Sequence, residues 1–410
     1  MQVRTAVMVD WLIPRTLFLL TLALSASNAY SQDRILIGAP LPLTGVLAPE
    51  AAKQKRGYDL WAEVVNEAGG IRIDGQRRKV EILYLDYQSD TAKARTGSEA
   101  LVSQSHVQFL FAPYGSAAAR EASMVAEKHQ VPMIAATASS VQAFSRGHTY
   151  LFGTFTPNET LTESITGLIK QKMPQVTKLA ILARDDLFPL SIAREMLTSA
   201  RKRGIHTIFY ERYAIDATEH KALLRRLQAS DPDWIFAAGY TADLVQVRKQ
   251  MAELDIVAPV VTMIAAPAYQ EFIDATGPLA EHITSAAWWH PAARYVGTDV
   301  FGSTENFVRL FQQRYRSTPD YVEASAALAG ALFQMAIERA NSTDGRKVRD
   351  ELAKLNEPTF WGPVHFGANG QIDSLVPPVF QIQNGRPVII FPTEIAQAVL
   401  KPISSPAPHK

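Results

Sequence analysis

Ser116 and Ser139 stand at equivalent points of the chain, each ending an apolar run and preceding a helical pattern. Ser116 closes "FLFAPYGS" before "AAAREASMVAEKHQ", and Ser139 closes "VPMIAATAS" before the short "SVQAF". A helix start leaves its first backbone N–H groups free and carries roughly half a positive charge. A serine at that place either caps its own helix or turns its hydroxyl toward a ligand. Two such termini on adjacent strands form a cradle for an anion, best suited to a carboxylate, with no Arg or Lys required.

Competing chemistries lack their residues. The glycines of "GAPLPLTGVLAPE" do not follow the dinucleotide-binding spacing, and no phosphate-binding P-loop, nucleophile elbow or H-E-x-x-H occurs. The nine histidines are dispersed without ligand-like spacing, so neither a metal nor a cofactor is expected. Asp185 and Asp186 follow a strand; a helix-capping loop suits them better than an acid pair. There is no cysteine, which removes thiol chemistry, disulfides and lipid attachment through an N-terminal Cys. The formal net charge is +1 with Lys and Arg scattered, so no electrostatic pull toward nucleic acid or a membrane surface is implied. Binding without catalysis is what remains.

The elements that must position these serines alternate regularly. Strand patterns "RILIGAPLPL", "KVEILYLDY", "VQFLFAPY" and "VPMIAAT" are separated by helical ones, and "GG" at 69–70 closes the first helix. After "YLFGTFTPNET" the alternation restarts with "KLAILARDD", "HTIFYERY", "DWIFAAGY" and "PVVTMIAA". This predicts an α/β protein of two doubly wound parallel-sheet lobes. Joins at "YLFGTFTPNET", "ITSAAWWHPAARY" and "FWGPVHFGANG" predict a three-crossing hinge. The predicted division is residues 32–154 with 288–358 in lobe 1 and 155–287 with 359–398 in lobe 2. Residues 399–410 read as a disordered tail.

Residues 1–31 have the layout of a secretory signal peptide: Arg4 and Arg15, an apolar run of about ten residues, then small residues. Cleavage is expected near Ala29–Ser31, with Met8 as an alternative start, and the periplasm as destination.

These segments, in this order, resemble the type I periplasmic solute-binding proteins of ABC importers, the Leu/Ile/Val-binding group. "ILIGAPLPLTGVLAPEAAKQKRGYDLWAEVVNEAGGI", "YLDYQSDTAKA", "APYGSAAAREASMVAEKHQVPMIAATASS" and "PDYVEASAALAGALFQMAIERA" carry the likeness. The resemblance implies Ser116 as a carboxylate-binding serine and Thr137, Ala138 and Ser139 as a second carboxylate contact. It places Tyr240 and Phe188 on aromatic residues of the second lobe, and Trp289 on a tryptophan near the crossover. It further implies a small-molecule carboxylate as ligand, an inner-membrane permease as partner, and a monomer that is not an enzyme.

One position departs from the amino-acid binders. Where they carry an acid for the substrate ammonium, this chain has Ile264. Leaving a buried ammonium without a carboxylate costs several kcal/mol, which disfavours a simple α-amino acid. The aromatic supply of Tyr114, Phe155, Phe188, Tyr240, Trp288 and Trp289 suits an aromatic or large apolar acid; branched-chain amino acids and amides stay open. Glu323 is an alternative acid, with a hinge or surface role preferred. The rival expectations are a ligand-sensing domain of a periplasmic signalling system and an exported hydrolase.

Overall fold

The first sheet is organised around β1 (Arg34–Leu41), whose residues are almost continuously buried, the mark of a strand covered on both faces. The computed structural model describes residues 34–264 and 266–403. The expected signal peptide and its cleavage point lie outside the described residues.

The first lobe runs β1, α1 (Ala48–Glu67), β2 (Ile71–Ile73), β3 (Gln76–Asp86), α2 (Thr91–Ser103), β4 (Phe109–Phe111), α3 (Ser116–His129), β5 (Met133–Ala135), α4 (Val141–Phe144) and β6 (Leu151–Gly153). Its strand order is β2-β3-β1-β4-β5-β6, parallel except for the β2–β3 hairpin. Local chemistry sets the helix ends. Asp90 caps α2 by accepting from the Ala92 N–H at 2.9 Å, and Gly70, at φ 107°, lets its N–H reach the Val65 carbonyl beyond α1.

The second lobe runs α5 (Asn158–Lys172), β7 (Lys178–Arg184), α6 (Leu187–Lys202), β8 (His206–Tyr213), α7 (Lys221–Ala229), β9 (Trp234–Ala238), α8 (Thr241–Glu253), β10 (Val260–Ile264), α9 (Gln270–Thr276) and β11 (Thr284–Ala286). The chain then returns through α10 (Thr304–Tyr315), α11 (Tyr321–Ala340), α12 (Gly345–Leu352), β12 (Asn356–Thr359) and β13 (Gly362–His365) before β14 (Val379–Gln383) and β15 (Arg386–Phe391). The second sheet is ordered β15-β14-β11-β10-β9-β7-β8. Its β7 to β11 core is parallel as expected, whereas β14 and β15 add an antiparallel edge. Asp186 caps α6 through the Leu187 N–H, so it serves the capping role and not an acid pair.

Two boundaries differ from the sequence reading. The β12–β13 hairpin is a small sheet of its own, and residues 370–372 after it bond to the first sheet: Gly153 donates to the Gly370 carbonyl at 2.8 Å, and Ile372 donates back to Gly153 at 3.0 Å. The third crossing therefore falls between Ile372 and Val379. The tail is also docked through residue 403. Lys401 donates to the Gln381 side chain at 2.9 Å and Ile403 to the Pro259 carbonyl at 3.0 Å.

Helix α11 is buried along most of its length and packs on α1. Their close approach depends on two glycines. A Cβ at Gly57 would collide with the Glu323 backbone, and one at Gly330 with the Trp61 ring. Trp61, Tyr58, Phe109 and Phe111 are fully buried beside this crossing, each contributing about 2 kcal/mol of burial. Among the described residues no helix is long and apolar enough to cross a membrane.

Candidate functional site

The tips of β4 and β5 are tied together by side chains before any ligand is considered. After β4 the chain turns through Tyr114 and Gly115 into α3. Gly115 is the helix N-cap at φ 82°, a left-handed conformation that favours glycine, and faces the Tyr240 hydroxyl across the cleft. Its N–H donates to the Thr137 hydroxyl at 3.0 Å. Thr137 in turn donates to Gln54 Oε1 at 3.3 Å, and Gln54 Nε2 donates to the Ala112 carbonyl at 3.1 Å. A fully buried amide on α1 thus fixes both tips.

Ser116 is the first residue of α3 and does not cap it. Its oxygen accepts the N–H groups of Ser139 and Ser140, both at 3.3 Å. With its lone pairs engaged, the hydroxyl hydrogen has only a donor role left. Ser139 Oγ and Ser140 Oγ are buried without partners. The N–H groups of Ser116, Ala117 and Ala118 are the orphan donors of the first turn; the first intrahelical bond is from Ala119 to Gly115. Unsatisfied donors and hydroxyls at this density cost free energy unless an acceptor meets them. The second tip differs from expectation in one respect. Helix α4 spans four residues, so this tip supplies hydroxyls and little dipole.

A narrow cavity of about 20 Å³ lies between the lobes against these tips. The first lobe lines it with Tyr114, Gly115, Thr137 and Ser139, and α11 adds Tyr321 and Val322. Phe155 lines it from the first crossing, Trp288 from the second, and Phe188 and Tyr240 from the second lobe. Ser116 and Ala138 are completely buried and stand behind this surface. Ser116 shapes the tips from beneath.

The wall is aromatic and interlocked. Phe155 stacks on Trp288 at 4.1 Å and 6°, and Phe188 meets both Tyr240 at 6.0 Å and Trp288 at 6.3 Å. Tyr114 faces Tyr240 across the lobes at 6.3 Å. Behind Tyr240, Arg184 holds its guanidinium 5.1 Å from the ring while paired with Asp243 at 3.0 Å. Burial raises the Tyr114 and Tyr240 hydroxyls well above the usual phenol value, so both remain neutral donors.

Trp289 is placed elsewhere. Its ring stacks on Trp361 at 6.1 Å and packs edge-on to Phe307, on the far side of the backbone from Trp288. The cleft-lining indole is therefore Trp288. Ile264 is buried in the core at the end of β10, and Glu323 is engaged at the α11–α1 contact: it accepts from the Asp320 N–H at 2.8 Å and pairs with Arg56 of α1. Among the described residues no charged side chain lines the cavity.

Several positioning residues were not singled out from the sequence. Gln371 is fully buried and donates toward the Ser139 carbonyl at 3.3 Å and that of Phe155 at 3.4 Å, tying a strand tip to the first crossing. Gln54 and Tyr321 were likewise missed. Tyr321 carried a usable signal, because Asp320 and Glu323 form a capping box that fixes where α11 starts.

Two α/β lobes joined by three crossings, with a polar-tipped aromatic cavity between them, define a two-lobed solute-binding protein. The chain belongs to the periplasmic binding protein family, whose model matches residues 34–385. It is of the type I, ABC-importer kind. Leu/Ile/Val-binding protein homolog 8 of Brucella abortus is 26% identical over 383 residues, covering 90% of this chain and 93% of the relative. The LivJ structure from Streptococcus pneumoniae, solved with isoleucine, superposes with TM-score 0.74 at 23% identity, covering 86% of this chain and 97% of LivJ. A solute-binding protein of R. palustris, solved with benzoate, superposes at 0.75 with 16% identity, covering 91% and 98%.

Proposed function

We propose that this protein is an extracytoplasmic receptor that captures an aromatic or large apolar monocarboxylate between its lobes and delivers it to an inner-membrane ABC permease. The observation that carries the reading is the pairing of partnerless donors at one end of the cavity with an uncharged aromatic wall around the rest. A carboxylate meets the free N–H groups of the α3 N-terminus and the Ser139 hydroxyl, while Ser116 and Thr137 hold the two tips in place. Its body lies against Phe155, Trp288, Phe188 and Tyr240. An ammonium on the same ligand would find no carboxylate in the lining, so the amine-free acid is preferred.

Closing follows from which lobe makes each contact. The first lobe holds the carboxylate in either state, whereas Tyr240 and Phe188 reach it only when the lobes meet. A ligand that touches both lobes shifts the open–closed balance toward closed. A soluble monomer in the periplasm is the form proposed to meet the permease. That a benzoate-binding protein and isoleucine- and leucine-binding proteins share this fold keeps both ligand classes in view.

The test is calorimetric titration of the mature protein with benzoate, phenylacetate, leucine and isoleucine. Binding of the aromatic acids with leucine at least tenfold weaker supports the reading. Tighter binding of leucine than of either aromatic acid contradicts it.

A further inference from the structure

Helix α1 of the first lobe reaches into the second lobe at a place separate from the ligand cavity. Lys53 is only 5% exposed, and its Nζ lies 2.8 Å from Glu271 Oε2 on α9 of the second lobe. The same Nζ lies 2.8 Å from Asp320 Oδ2, which belongs to the first lobe's α11, and 3.9 Å from the centre of the Tyr269 ring. Tyr269 is carried by the second lobe at the start of α9. It stacks on Tyr321 at 5.4 Å and 15°, with the two hydroxyls 2.6 Å apart. The segment Tyr269–Glu271 is thus clasped between α1 and α11. Three residues earlier on α1, the buried Glu50 faces Thr241 of the second lobe.

We infer that Lys53, Tyr269 and Glu271 form a latch between the lobes that favours the closed form and sets affinity for every ligand by the same factor. This rests on the reading that ligand capture is coupled to lobe closure. Lys53 and Glu271 do not line the ligand cavity and Tyr269 meets it through Tyr321, so removing the ion pair does not discriminate among ligands.

The arrangement has the asymmetry a reversible latch needs. Asp320 travels with Lys53, so opening the lobes does not strand a buried ammonium without a counter-charge. Opening breaks the Glu271 pair, withdraws the Tyr269 ring from the cation and separates the two tyrosine hydroxyls. A cation over an aromatic face is worth more when both are shielded from water, as they are here. Closing recovers all three. The latch therefore raises the closed population before any ligand arrives, and apparent affinity scales with the population of the binding-competent form.

Two variants separate this from a general structural effect. Glu271→Gln alters a half-exposed side chain of the second lobe, and Lys53→Met removes the cation while keeping the stem. Small-angle scattering of the unliganded proteins gives the closed fraction without reference to any ligand. Calorimetric titration with benzoate and with phenylacetate gives the two affinities. The latch predicts a larger radius of gyration in the Lys53→Met and Glu271→Gln proteins. It also predicts both affinities weakened by about tenfold in Lys53→Met, with their ratio unchanged. Wild-type scattering profiles in both variants overturn it, as does a change in the ratio of the two affinities. If benzoate fails to bind wild type, the ligand reading falls, and the scattering comparison still decides the latch.

Discussion

Ser116 and Ser139 are joined by one hydrogen bond, the Ser139 N–H donating to Ser116 Oγ at 3.3 Å, so the tips of two adjacent strands share a side chain. The same oxygen accepts from Ser140, which commits the Ser116 hydroxyl hydrogen to donating. Ser116→Ala removes the oxygen that holds the second tip and leaves two buried N–H groups unpaired. Carboxylate affinity should fall by about 2–3 kcal/mol, roughly 30- to 150-fold, as read by calorimetry. An unchanged Kd removes Ser116 from the site altogether.

Tyr240 contributes from the opposite lobe, where Phe188 and Arg184 brace its ring. Tyr240→Ala should weaken binding and lower the closed fraction at saturating ligand. Tyr240→Phe retains the ring and should keep closure while losing about a factor of ten or less in affinity. Scattering of the loaded proteins separates the two effects; equal closed fractions in both variants contradict a closing role.

Trp288 and Phe155 form the stacked pair of the wall, whereas Trp289 faces the Trp361 and Phe307 packing. Trp288→Leu should shift preference from aromatic toward aliphatic acids. Trp289→Leu should lower the melting temperature with no change in ligand ranking. A thermal-shift series over both ligand classes reads each outcome; reversal of these two patterns would put the indoles on the wrong sides.

His290 supplies a pH signature. Burial pushes its imidazole down to about 4 from an ordinary 6.5, and its Nδ1 accepts the Ala292 N–H at 3.1 Å. The folded protein therefore holds His290 neutral while the unfolded chain takes up a proton below 6.5. Its contribution is fully present above pH 6.5 and is lost as pH falls toward 4. His290→Gln should flatten the stability–pH slope in that window by about one proton, measured by urea unfolding. An identical slope in both proteins contradicts this environment.

Much of this was legible because the informative signals are local. Strand–helix alternation gave the two lobes. The strand-end places of Ser116 and Ser139 were marked by the apolar runs they end, and the capping role of Asp186 by its place after a strand. What was hidden depends on long-range packing. Gln54 and Gln371 look like any amide until burial shows them bonded to both strand tips. Trp288 and Trp289 differ only in which side of an extended segment they face, and sequence alone does not fix that parity. The third crossing falls later than the loop composition suggests because residues 370–372, beyond the β12–β13 hairpin, bond back to Gly153 of the first sheet. The tail was read as free because "KPISSPAPHK" has loop composition, yet backbone bonds dock its first residues.

The central claim, that neutral donors at two strand tips grip a carboxylate, is tested most directly by a crystal structure of the mature protein with a tight-binding acid chosen by thermal-shift screening. The account predicts the carboxylate oxygens about 2.8 Å from the α3 N-terminal N–H groups and the Ser139 hydroxyl, with rings of the second lobe against the ligand body. An acid bound with its carboxylate elsewhere, or held by an Arg or Lys side chain, contradicts it.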